Sequence, residues 1–110
     1  DKYKIYEDKY PIVVLGDFNC RPPWDAGTEE MTLKILLDHP GISMVTNADE
    51  YKSNPHFLYT FNSETPYEKI DYILYNNRYL GVIKSKVLQE ATEISDHLPL
   101  FASLVIKNKQ

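Results

Sequence analysis

The chain has 110 residues, 43% of them hydrophobic and 25% charged, which is one foldable domain or a piece of a larger one and excludes a disordered tail. No apolar run approaches the ~20 residues of a membrane span, and the single cysteine, Cys20, excludes an internal disulfide and a thiolate metal cluster. The net charge of −4 argues against a surface held on nucleic acid by phosphate contacts alone.

Residues 1–10 are polar and Tyr-rich without a clear period, the end of a helix or a lead-in loop. Pro11 opens the run Ile12-Val13-Val14-Leu15, whose continuous β-branched character suits a strand covered on both faces. The run stops at Gly16-Asp17-Phe18-Asn19, and Pro22-Pro23 forbid a prompt helix start. Thr28 is a fair N-cap, with Glu29 and Glu30 in a first turn that favours anions. Leu33, Leu36 and Leu37 form the apolar stripe of that helix, and Pro40-Gly41 end it. Residues 42–55 read as loop, with room for a short strand. Phe57 to Phe61 has the composition of a strand, and Asn62 to Pro66 that of a turn. Ile70 to Tyr75 form the next strand and Asn76-Asn77-Arg78 the turn after it. Val82 to Leu88 alternates partly, as an edge strand does. Leu100 to Ile106 closes the sheet, and Lys107 to Gln110 are a polar tail. The order of strand, helix, then several strands points to a layered α/β or α+β sheet.

Within this frame three acidic positions and one imidazole stand at or in apolar strands: Asp17, Asp71, Asp96 and His97. Such groups are costly to bury unless they face one another or a metal. Asp71 shares its strand face with Ile73. A histidine Nδ1–H is its natural partner, which would fix the tautomer and raise the basicity of His97. A structural hydrogen bond at a strand edge is the alternative. Asp17 and Asn19, alternating around Phe18, can point the same way, and a turn can aim Asp96 and His97 into one pocket. Oxygen ligands with an imidazole suit Mg²⁺ or Mn²⁺, and a divalent ion beside a histidine base is a common means of attacking a phosphodiester with water. Taken singly, each motif also has a purely structural reading as a strand-ending turn or an Asx turn.

In spelling and order, Gly16-Asp17-Phe18-Asn19, Ile70-Asp71-Tyr72-Ile73-Leu74 and Ser95-Asp96-His97-Leu98-Pro99-Leu100 resemble the endonuclease/exonuclease/phosphatase superfamily, whose fold is DNase I-like. Tyr59-Thr60-Phe61 is similar to the strand that precedes the family's Asp-Tyr strand. The resemblance runs from about residue 11 to residue 106. It implies an α/β (α+β) chain, half of a DNase I-like four-layer β-sandwich, mostly one mixed or antiparallel sheet with a flanking helix. Residues 1–110 would then be the C-terminal part of such a domain. The first half, with its asparagine and glutamate ligands, would have to cover one sheet face, or another chain would.

By the same resemblance, Asp17 would orient or activate the attacking water and Asn19 would bind a phosphate oxygen. Asp71 would hold His97, His97 would contact the scissile phosphate or share the proton work, and Asp96 would be a metal ligand, directly or through water. The implied function is divalent-metal-dependent phosphoesterase chemistry on a phosphate-ester substrate. Low basicity and the lack of a Lys/Arg cluster near the motifs favour a lipid or small phosphorylated molecule over nucleic acid. A DNA or RNA nuclease, and a non-catalytic half-domain kept for binding, are the alternatives.

Other residues carry weaker signals. Trp24 would line the cleft or plug the core. Arg21 would meet a phosphate or stay solvated. His39 would be a favourable charge at a helix C-terminus and His56 a surface group. Cys20 would be a buried thiol, and Tyr67, Tyr72 and Tyr75 packing groups.

Overall fold

The computed structural model describes residues 9–24 and 32–107. The elements run β1 (Val13–Asp17), α1 (Thr32–Leu37), β2 (Ile42–Met44), α2 (Ala48–Ser53), a 3₁₀ turn (Pro55–Leu58), β3 (Asp71–Asn76), β4 (Leu80–Val87) and β5 (Leu100–Ile106). The fold is α+β with antiparallel strands throughout. The strands divide into a three-stranded sheet of order β1-β3-β2 and a two-stranded sheet of β4 and β5. The turn at 77–79 therefore carries the chain from one sheet to the other. No described helix is long and apolar enough to cross a membrane.

β3 is the central strand, and Tyr72, Ile73 and Leu74 are all buried within it. β1 pairs with it from Val13 opposite Tyr75 to Asp17 opposite Asp71, and β2 pairs on the other side, from Ile42 opposite Asn76 to Met44 opposite Leu74. One face of this sheet meets α1. Cys20, Leu33, Met44, Tyr72 and Leu74 form the core there, with Phe18, Trp24, Leu36, Leu37 and Ile42 packed around them. The α1 stripe thus lands where its spacing placed it, while its expected cap at Thr28, with Glu29 and Glu30, lies outside the described residues. Residues 1–8 and the polar tail after Lys107 lie outside them too.

Three elements depart from the sequence reading. Strand β1 was expected to be covered on both faces, yet Val13, Val14 and Leu15 are 43%, 45% and 66% exposed. The reason is position: β1 is an edge strand among the described residues, and the run covered on both sides is β3. Residues 42–55 contain a helix as well as a strand. In α2, the Asn47 side chain accepts from the Glu50 N–H at 2.7 Å and closes the first turn, and Tyr51 alone is buried. A six-residue helix with one buried residue leaves no apolar stripe to read. Phe57 to Phe61 is not a strand. Pro55 starts the 3₁₀ turn, and Phe61 makes isolated bridges to Glu68 and His97. By contrast β4 is the expected edge strand, irregular between Val82 and Lys84 with Ile83 pointing into solvent.

Candidate active site

The site is built where β1 ends and β3 begins. Gly16 has φ 147°, a backbone conformation L side chains rarely adopt, and it lets β1 turn out at its last residue. Asp17 then accepts the Asn19 N–H on Oδ1 at 2.8 Å, an Asx turn, with Asn19 in the left-handed region at φ 54°. The spent Oδ1 leaves Oδ2 facing inward. Asp71 is directly opposite Asp17, so both carboxylates rise from the same face of the sheet.

His97 lies between them. Its Nδ1 is 2.8 Å from Asp71 Oδ2, and its Nε2 is 3.7 Å from Asp17 Oδ2. The ring is positioned by the backbone on both sides of it. The Ser63 N–H donates to the Asp96 carbonyl at 2.8 Å, and the Leu98 N–H to the Thr60 carbonyl at 2.7 Å. The Phe61 ring packs on the imidazole with centroids 5.0 Å apart. The hydrogen bond to Asp71 raises the His97 pKa above its ordinary value; partial burial opposes this, and the charges of Asp71, Asp17 and Asp96 add to it. A cleft of about 300 Å³ opens beside the pair, lined by Leu15, Gly16, Asp71, Ile73, His97 and Pro99 among others.

Asp17, Asp71 and His97 each offer one ligand atom within 4.8 Å of the others, a group that could hold a metal ion. Two carboxylates and an imidazole are a donor set for a hard or borderline divalent cation. Asp96 does not join this group. It lines the neighbouring hollow, of about 430 Å³, with Asn62, Ser63, Glu64, Thr92 and Ser95. Asn19 is exposed just beyond Asp17. The structure therefore gathers Asp17, Asp71 and His97 into one cluster and sets Asn19 and Asp96 on its rim.

A family model described as the endonuclease/exonuclease/phosphatase family matches residues 3–97. The chain belongs to the endonuclease/exonuclease/phosphatase family. No curated protein and no solved structure matched it. The match in this family ends on His97, so it takes in all three motif stretches up to the histidine and stops short of β5.

The remaining candidates find structural places. Trp24 packs edge-on to Tyr51 with centroids 6.1 Å apart, at the rim of the core. Arg21 pairs with Glu68 at 3.2 Å. His39 follows α1, and its Nδ1 accepts the Gly41 N–H at 2.9 Å, so it closes a turn through a lone pair. His56 is a surface group against Tyr59. Cys20 is buried, and the Tyr72 hydroxyl reaches its carbonyl at 2.7 Å, tying the loop after Asp17 to β3. Tyr67 is half exposed beside Phe61. Two residues next to the cluster were given no role from the sequence, although one of them stands in the Tyr59-Thr60-Phe61 stretch: Thr60 and Lys69, both fully buried. Burial pulls Lys69 down to about 8, against Asp71 and Glu50, which raise it.

Proposed function

We propose that this chain carries the water-activating and phosphate-binding machinery of a divalent-metal-dependent phosphoesterase. The observation that carries the reading is the continuous line Asp71 Oδ2 to His97 Nδ1 to His97 Nε2 to Asp17 Oδ2. Asp71 accepts the Nδ1–H and so directs Nε2 into the cleft. The hydrogen bond to Asp71 raises the His97 pKa and so favours a proton on Nε2, which in that form would be donated to a phosphate oxygen, where negative charge grows during attack. Asp17 accepts a hydrogen bond from the attacking water and orients it. Asn19, at the mouth of the Asx turn, offers its amide to a second phosphate oxygen.

A divalent cation would be held by the carboxylate oxygens of Asp17 and Asp71, with Asp96 reaching it through water, because His97 acting as a proton donor has no lone pair to offer. Mg²⁺ or Mn²⁺ fits this set. When bound, such an ion supplies Lewis acidity toward the phosphate and eases deprotonation of water. The substrate class we favour is a lipid or small phosphorylated molecule. The net charge is −4, and acidic groups dominate the cluster, so little here attracts a polyanionic duplex.

The test is Mg²⁺-dependent cleavage of bis-p-nitrophenyl phosphate by the chain and by His97→Ala. A loss of 100-fold or more is expected, about the low end of what one acid–base group supplies. Equal rates would end the reading. Competition by DNA and by a phosphorylated lipid headgroup at two salt concentrations separates the nuclease alternative, because phosphate-backbone binding falls steeply with salt.

A further inference from the structure

The strand ladder gives out at Asp71. The Phe18 N–H donates to the Ile70 carbonyl at 2.9 Å, so Asp17 and Asp71, one step along, are a pair whose peptide groups point away from each other. The N–H and C=O of Asp71 therefore face the β2 side, where pairing ends at Met44 and the Val45 N–H makes a last bond to Ile73. Beyond that point side chains replace the missing strand. The Thr60 Oγ1 lies 3.3 Å from the Asp71 nitrogen and 3.2 Å from the Ile70 nitrogen. The Lys69 ammonium donates to the Asp71 carbonyl at 2.8 Å and lies 4.7 Å from the centre of the Tyr72 ring. Both side chains are fully buried, where an unmatched hydroxyl or ammonium is costly.

Thr60 also holds the other half of the pair. Its carbonyl takes the Leu98 N–H, and its own N–H goes to the Glu68 carbonyl at 2.9 Å. One residue thus touches the main chain on either side of the Asp71–His97 hydrogen bond.

We infer that Thr60 and Lys69 are positioning residues: they fix the Asp71 peptide so that its carboxylate meets His97 Nδ1 and holds the imidazole in the Nδ1–H tautomer. Neither touches substrate. The consequence for catalysis rests on the phosphoesterase reading above; the consequence for the tautomer does not.

The experiment measures imidazole ¹⁵N shifts of His97 in the full chain, in metal-free buffer at a pH where the ring is neutral. Cleavage of bis-p-nitrophenyl phosphate is followed in parallel. The variants are Thr60→Val, Thr60→Ser, Lys69→Met and Asp71→Asn. The wild-type protein and Thr60→Ser are expected to hold a majority of the Nδ1–H form. Thr60→Val keeps the shape and loses the hydroxyl, and it should move the majority to Nε2–H, with kcat down tenfold or more and KM within twofold. Lys69→Met, which keeps the apolar stem over Tyr72, should shift the tautomer in the same direction and serves if Thr60→Val does not fold. An unchanged tautomer in whichever of the two folds overturns the inference. So does an equal shift in Thr60→Ser, since the hydroxyl would then not be the agent. A shifted tautomer with no Mg²⁺-dependent cleavage by any form, wild type included, supports the positioning role and removes the phosphoesterase reading instead.

Discussion

Asp17 and Asp71 sit directly across adjacent strands, and two like charges so placed repel. The hydrogen bond from His97 to Asp71 is the main reason the ring holds its proton to higher pH than a free imidazole; partial burial opposes it, and the charges of Asp71, Asp17 and Asp96 add to it. The effect on stability has a definite sign. The folded-state pKa lies above the ordinary value of 6.5, so the stabilisation is complete below about 6.5 and is lost as pH rises through the folded value. We expect the urea midpoint to fall over that window, and His97→Gln to flatten the fall. Above about 8 the sign reverses, because burial leaves Lys69 neutral in the fold while the unfolded chain still binds its proton. A His97→Gln protein with an undiminished decline would refute this assignment. Gly16 offers a second test at this scale. There is open space around its α-carbon, so Gly16→Ala meets no clash, yet its φ of 147° should still cost about 1–3 kcal/mol in urea unfolding. The motif residues were legible in the sequence because each motif is short and contiguous. Thr60 and Lys69 were not, since they act on main-chain atoms, and a threonine or lysine beside a strand has no pattern that announces it.

At the scale of elements, apolar runs and stripes were legible and single contacts were not. The α1 stripe and β3 were readable from the apolar side chains they pack into the core, and β5 from its apolar run, although none of its residues is fully buried. α2 was missed because a capping asparagine and one buried tyrosine make it, not a stripe. Its stability should therefore hang on the cap. Asn47→Ala is expected to cost about 0.5–2 kcal/mol in denaturant unfolding, while Asn47→Asp, which keeps an acceptor at the N-cap, should cost much less. Equal losses would show that packing of Tyr51 carries the helix instead. The segment from Phe57 to Phe61 failed as a strand for a different reason. Pro55 fixes the backbone for a helical turn, and Thr60 and Phe61 then divide their backbone bonds between Tyr67 and Glu68 on one side and Leu98 on the other rather than along one partner strand. That scattered bonding is what lets the segment bridge two parts of the site.

For the whole molecule, the apolar side chains left in solvent are as informative as the buried ones. Val13 and Leu15 share a face of the sheet with Asp17, and Phe101 and Val105 share a face of β5; all four are more than two-fifths exposed. A run of β-branched residues reads the same whether its cover comes from the same chain or from elsewhere, so the sequence predicted cover for β1 but could not say whose. We expect these 110 residues, expressed by themselves, to associate through these strands in a concentration-dependent way visible in sedimentation velocity. Leu15→Ser with Phe101→Ser should weaken that association while changing monomer stability by about 0.5 kcal/mol or less each, as exposed substitutions do. A wild-type chain that stays monomeric at all concentrations would contradict this.

The edge position of β1 has a kinetic side. Among the described residues, Asp17 is carried by a strand held through one ladder of hydrogen bonds, whereas Asp71 is carried by the strand that β1 and β2 both grip. Local opening should begin at that rim, so β1 amides should exchange with deuterium sooner than those of β3. Each such fraying event would unseat one carboxylate and leave the Asp71–His97 couple standing, so the site would come apart and re-form without unfolding.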